Sequence, residues 1–169
     1  SNILKSAGAV LGKQTVINYV GYMMDSYMLF TLQNYAAKLV EKETSPKYYF
    51  MDTGLLGLML MDCSSAQLEN LVAIELIRRY GRENVFYFEK NVEIDFYVPE
   101  EKLAIQVSLQ VLDQIDTRER EIGAFVKLKN FIGDATCLLI TNSEEAVLDC
   151  EGIRVEVIPI WKWLLMNDL

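Results

Sequence analysis

Histidine is absent from this chain of 169 residues, which removes histidine bases, histidine-containing triads and every histidine metal ligand. Cysteine is scarce. Cys63, Cys137 and Cys150 are odd in number, widely spaced and form no CxxC pair. Neither a disulfide framework nor a zinc knuckle is therefore expected, and a reducing compartment is the natural reading. No run approaches the ~18 consecutive apolar residues of a membrane span, and the N-terminus lacks a signal-peptide layout, so a cytoplasmic location without a membrane partner is expected. Basic residues are in the minority, 16 Lys and Arg against 24 Asp and Glu, for a net charge of −8. That balance argues against a dedicated nucleic-acid module, whose affinity rests on neutralising phosphates. There is no GxxxxGK[ST] phosphate loop, and Gly12-Lys13 sits in the wrong surroundings for one. Internal repeats and low-complexity tracts are also missing.

What remains is ordinary globular material, half of it hydrophobic and long enough for a core. Val16, Tyr19, Val20, Met23, Met24 and Tyr27 recur at helical spacing after Gly12 and predict a helix with one apolar face, read as core. "MLFTLQNY", "KLVEKE" and "KYYFMDT" read as strands, the last two separated by Thr44-Ser45-Pro46. "GLLGLMLMD" predicts a short helix, and "AQLENLVAIELIRRY" a longer one behind a box-like Ser64-Ser65-Ala66-Gln67, with Gly81 just past its end. Strands "VFYFE", "VEIDFYV" and "LAIQVSL" follow, the last two joined by the Pro99–Lys102 turn. A helix over 114–132, strands "TCLLIT" and "IRVEVIPI" and a helical turn "WKWLL" complete the chain. From residue 66 the order is thus α-β-β-β-α-β-β. Ser1-Asn2, with no initiator methionine, reads as a cloning scar or a cut inside a longer protein.

That order, with Glu69 on the first long helix and Asp95 on a strand, resembles the core of the PD-(D/E)XK nuclease superfamily. There, helix and strand acids hold Mg²⁺ and a lysine two residues after the last acid helps activate water. "PKYYFMDTGLLGLML", "LENLVAIELIRRYG", "EIDFYV" and "IQVSLQ" further resemble the domain-of-unknown-function 4143 family (DUF4143), the C-terminal region of prokaryotic AAA-type ATPases. The resemblance implies an α/β fold: a restriction-endonuclease-like mixed sheet flanked by helices over 54–169, preceded by a partial winged-helix segment over 1–53. It also implies a missing N-terminal ATPase domain that would carry ATP and Mg²⁺ and act as this region's partner, with no cofactor in this fragment itself.

The site that resemblance points to is incomplete. Asp95, flanked by Ile94 and Phe96, must face solvent, a metal or a hydrogen-bond partner, since burying a lone acid is costly. Alternation places Glu93 and Tyr97 on its face, so the plain alternative is the polar side of an amphipathic strand. Where the superfamily carries its acid and lysine, this chain has Gln106 and Ser108. Glutamine keeps an oxygen but not the charge, and serine cannot replace an ammonium. Glu69, Asp95, Gln106 and Ser108 therefore read as a remnant, with Glu69 and Asp95 at most a weak metal pair and no catalytic residue expected. Lys102 or Lys90 as a migrated amine is left open. Glu75 is read as paired with Arg78 or Arg79, and Arg118, Glu119, Arg120 and Glu121 as an exposed helix face. Lys13, Gln14, Thr15 and Asn18 open the helix a winged helix would present to DNA. With so acidic a chain, a protein contact is favoured there over weak DNA binding. The expected function is an interaction or regulatory domain, nuclease-like in fold and without catalysis. The alternative is a Mg²⁺-dependent DNA nuclease with a rearranged site.

Overall fold

The computed structural model describes residues 12–37, 46–59 and 64–166. In chain order its elements are α1 (Lys13–Asp25), β1 (Leu29–Asn34), β2 (Lys47–Phe50), α2 (Gly54–Met59) and α3 (Ser64–Tyr80). Then come β3 (Phe86–Glu89), β4 (Glu93–Val98), β5 (Leu103–Val107), α4 (Ile115–Ile132), β6 (Thr136–Thr141), β7 (Ala146–Cys150), β8 (Ile153–Pro159) and α5 (Ile160–Leu165). The "KLVEKE" run lies outside the described residues.

The strands form one mixed sheet in the order β2-β1-β3-β4-β5-β6-β8-β7. β3, β4 and β5 are antiparallel neighbours joined by short turns, as short connections require. β5 and β6 are parallel, and α4 supplies the crossover that parallel neighbours need. β1 pairs antiparallel with β2 and parallel with β3, so the first hairpin extends the same sheet.

Two cores flank this sheet. Leu68, Val72 and Leu76 recur every four residues along α3 and are buried. Val72, Ala73 and Leu76 pack on one face of the sheet, with Phe30, Phe96, Ile105 and Ile140. Ile122, Phe125 and Leu128 of α4 pack on the other, with Tyr97, Leu139 and Val157. At the end of α3 the chain turns at Gly81, whose φ of +81° suits glycine, and a Cβ there would meet the Glu83 carboxylate at 2.8 Å.

Two expectations need correction. The strand β7 was not anticipated. Its five residues are half-exposed to exposed and lie between Glu144-Glu145 and Glu151-Gly152, so they carry little apolar contrast, and only pairing with β8 makes them a strand. The apolar face of α1 is not core either: Val16, Tyr19 and Tyr27 are exposed. The helix meets the sheet at its C-terminal end, where the Met28 N–H donates to the Met23 carbonyl and leads into β1. No other described layer covers the rest of it.

Candidate functional site

Opposite β3, the strand β4 carries one residue too many. Phe88 faces Ile94 and Phe86 faces Tyr97, so Asp95 and Phe96 together stand opposite Tyr87. Such a bulge reverses the alternation and re-aims side chains. Phe96 and Val98 consequently pack toward α3, while Tyr97 packs toward α4. Tyr97 is thus core, which corrects the reading of Glu93, Asp95 and Tyr97 as one polar stripe.

Beyond Phe96–Ile105 the ladder between β4 and β5 stops, and side chains bridge the gap. Gln106 is only 5% exposed. Its Oε1 accepts the Asp95 N–H at 2.9 Å and its Nε2 donates to the Glu93 carbonyl at 3.2 Å. Asp95 answers by accepting the Val107 N–H on Oδ2 at 2.9 Å. Gln106 therefore replaces two missing backbone partners. Gln106→Ala should leave the Asp95 N–H and the Glu93 C=O, both only part-buried, without their side-chain partner and lower stability by about 1–3 kcal/mol. Urea unfolding measures this, and a loss under about 0.5 kcal/mol would mean water replaces the amide at little cost.

A cleft of about 410 Å³ opens where β4 begins and β5 ends, lined by Glu69 from α3, Glu93 and Asp95 from β4, and Arg120, Glu121 and Lys127 from α4. Glu121 is buried and bonded to Arg120 at 2.5 Å, so the charged run on α4 is not wholly an exposed face. α4 packs on the sheet beside the cleft and turns that residue inward. The cation nearest the strand acids comes from β2. Lys47 Nζ lies 2.7 Å from Glu93 Oε1 and 3.8 Å from Asp95 Oδ1. Tyr49, two residues on, donates its hydroxyl to Glu69 at 2.8 Å.

These contacts set the protonation states. Burial, with the negative charge of Glu69, pushes the Asp95 carboxyl up to about 7, against the opposing pull of Lys47 and the Val107 N–H. Burial opposes the charge of Lys47, yet the hydrogen bond to Glu93 and the charges of Asp95 and Glu69 outweigh it and raise its pKa. Burial and Glu69 likewise raise the Tyr49 phenol, which stays a donor.

Of the residues singled out in the sequence, Glu69, Asp95 and Gln106 come together at this cleft. Ser108 leaves it: it lies past the end of β5, with its N–H on the Ile140 carbonyl and its hydroxyl on the Gln110 carbonyl. Neither open lysine reaches the site. Lys90 lies over the Phe131 ring, and Lys102 closes the turn in left-handed backbone at φ 47°. Glu75 does pair with both Arg78 and Arg79. On α1, Gln14 and Asn18 are exposed and hydrogen-bonded to each other at 3.1 Å. Thr15 is half-buried beside them, and the side chain of Lys13 lies outside the described residues. Lys47, Tyr49 and Glu121 were missed, because nothing local marks a residue that only sheet pairing or a helix crossing brings to Asp95.

Mg²⁺ is the ion a carboxylate site of this kind would take, but the residues present do not fit it. Among the described residues no three acids converge as a metal-holding group. Asp95 and Glu69 already accept hydrogen bonds, and an ammonium faces Glu93 and Asp95.

Comparison with known proteins overturns the DUF4143 resemblance. The family profile that matches is Domain of unknown function (DUF8612), over residues 1–67. The expectation of an AAA-type ATPase motor carrying ATP and Mg²⁺ rested on that resemblance and loses its support. The chain is also similar to the uncharacterized protein MJ1544 of Methanocaldococcus jannaschii, 31% identical over 175 residues that cover 98% of this chain. It spans 39% of that relative's length. No solved structure matches. Among the described residues no helix is long and apolar enough to cross a membrane.

Proposed function

We propose that this chain is a nuclease-like domain without nuclease activity, serving as an interaction module, in which Lys47 neutralises the strand carboxylates where an active relative would hold a divalent cation. The order α3-β3-β4-β5-α4-β6, with antiparallel β3-β4-β5 and parallel β5-β6, supports the nuclease-like part. The winged-helix reading of residues 1–53 has less behind it, since β1 and β2 run into the same sheet.

One observation carries the silent site: the Lys47 ammonium stands 2.7 Å from Glu93 and 3.8 Å from Asp95. A divalent ion entering there must displace that ammonium and, near neutral pH, also a proton from Asp95. Gln106, where the superfamily carries its acid, is held by backbone. The interaction part rests on exposed large side chains, including Ile17, Tyr19 and Tyr22 on α1, since solvent-facing apolar residues gathered on one element mark contact surfaces.

The test is cleavage of plasmid, single-stranded DNA and RNA with Mg²⁺ or Mn²⁺, with an Asp95→Ala control. The expected result is no cleavage by either protein, and Mn²⁺ binding weaker than about 1 mM. Cleavage by the natural sequence that disappears in the control would establish an active nuclease instead.

A further inference from the structure

None of the described side chains of α1 is buried, and the helix has little of its own to hold it together. It has 13 residues and no side-chain cap bond at Gly12, which puts it in the range of about 12–15 residues where an isolated helix is marginal in water. Thr15, Val16, Ile17, Val20 and Gly21 are poor helix formers. Its end charges also oppose its dipole. Lys13 is the first residue and Asp25 the last, with no acid in the first turn and no base in the last, whereas a helix favours the reverse. Helices of this kind are held by what packs on them.

The exposed stripe selects the partner. Thr15, Val16, Tyr19, Tyr22 and Met23 recur at spacings of three and four and share one face. Tyr19 is 54% exposed and Tyr22 64%. The eleven residues from Gln14 to Met24 carry no charge in a chain that is 24% charged. Tyrosine and methionine without charge are the composition of an interface core, and a strongly acidic or basic partner gains nothing there. The stripe is instead symmetric about Tyr19. An antiparallel copy turned about that residue sets Tyr19 beside its twin, Val16 beside Tyr22 and Thr15 beside Met23. The same turn brings the Lys13 end of each helix alongside the Asp25 end of the other. Charges that oppose their own dipole then meet opposite charge across the pair.

We propose that α1 pairs antiparallel with α1 of a second copy of this chain, forming a two-fold dimer with Tyr19 on the axis. A tyrosine buries about 150–250 Å² when covered. The two stripes together cover on the order of 1,000 Å², the lower end of specific interfaces, so the dimer is reversible, with a Kd of about 10–100 μM. This rests on the interaction-module reading above and names its partner. The cleavage assay reports on the carboxylate cleft and the following experiment on α1, so either can fail alone.

Sedimentation equilibrium of the whole chain from about 5 μM to about 1 mM spans that range. The mass should rise from 19.4 kDa toward twice that value. Tyr19→Lys sets two ammoniums together on the axis and should weaken association at least about thirtyfold. Ile17→Lys, about 200° around the helix from Tyr19, should change it less than about twofold. Both positions are exposed, so neither variant should move the unfolding midpoint of the dilute protein. In a mixture of isotope-labelled and unlabelled chains, filtered NOEs should join the Val16 methyls to the Tyr22 ring of the other copy. A chain that stays monomeric at about 1 mM, association that survives Tyr19→Lys or is lost equally in Ile17→Lys, or NOEs joining Val16 to Val16 would each overturn the proposal.

Discussion

Asp95→Asn should make the protein more stable at pH 8 and flatten its dependence on pH. The folded protein holds the Asp95 proton up to about pH 7, whereas an unfolded aspartate releases it near its ordinary pKa of about 3.9. The folded state therefore binds more protons across that interval, and stability falls as pH rises from about 4 to about 7. With the side chain 19% exposed, the full difference is at most about 4 kcal/mol at pH 8. Asparagine removes that penalty, and its carbonyl can still accept the Val107 N–H. Its amide would face Lys47, which costs part of the gain, so a net increase of about 2 kcal/mol is expected. At pH 4 the two proteins should unfold within about 0.5 kcal/mol of each other. Urea unfolding from pH 4 to pH 8 supplies both numbers. A variant less stable at pH 8, or one with an unchanged slope, would show that Asp95 is comfortably ionised in its cleft.

Arg79→Ala should be the most damaging single change outside the apolar core. The Arg79 side chain is 8% exposed. Its Nε donates to Glu75 at 2.7 Å and its Nη2 to the Trp163 carbonyl at 2.9 Å. Its guanidinium also lies 4.4 Å from the centre of the Trp163 ring. One residue thus ties α3 to the short closing helix α5. Truncation strands the buried Glu75 carboxylate with only the solvent-facing Arg78 and unseats Trp163, which is wholly buried. Breaking a buried pair on one side costs about 3–5 kcal/mol, or roughly 6–20 °C in midpoint for a domain of this size. Arg79→Lys should recover only part of this, because an ammonium cannot make the fork and the stack together. Arg78→Ala, at the exposed end of the same cluster, should have a far smaller effect. Equal losses for Arg78→Ala and Arg79→Ala would refute the idea that Arg79 is the link.

Much of the secondary structure could be read locally, and the reasons differ by element. In α3, Leu68, Val72 and Leu76 recur at helical spacing, and Gly81 ends the run. β4 and β5 are bounded by a turn whose residues belong in turns. β7 failed because a strand half in water has no strong apolar signature, and α1 was read as a helix but its burial was not, because an apolar stripe does not say whether anything covers it. Of the site, Asp95 was legible as an acid at odds with its apolar neighbours, and Glu69 only through the resemblance to nucleases. Gln106 was read as a lost carboxylate, when its amide is what two backbone groups require.

By itself the sequence determined which chemistries are closed to this chain, with no histidine and no phosphate loop, and the order of most helices and strands, since propensity and periodicity act over a few residues. Only the tertiary structure decided what surrounds Asp95. The bulge opposite Tyr87 depends on how β4 registers against β3. Lys47 arrives through the pairing of β2 with β1 and of β1 with β3, and Glu121 arrives because α4 packs on the sheet beside the cleft. Each of these is a contact between residues far apart in the chain. The charge state of a buried acid is a sum over such contacts, which no local pattern contains.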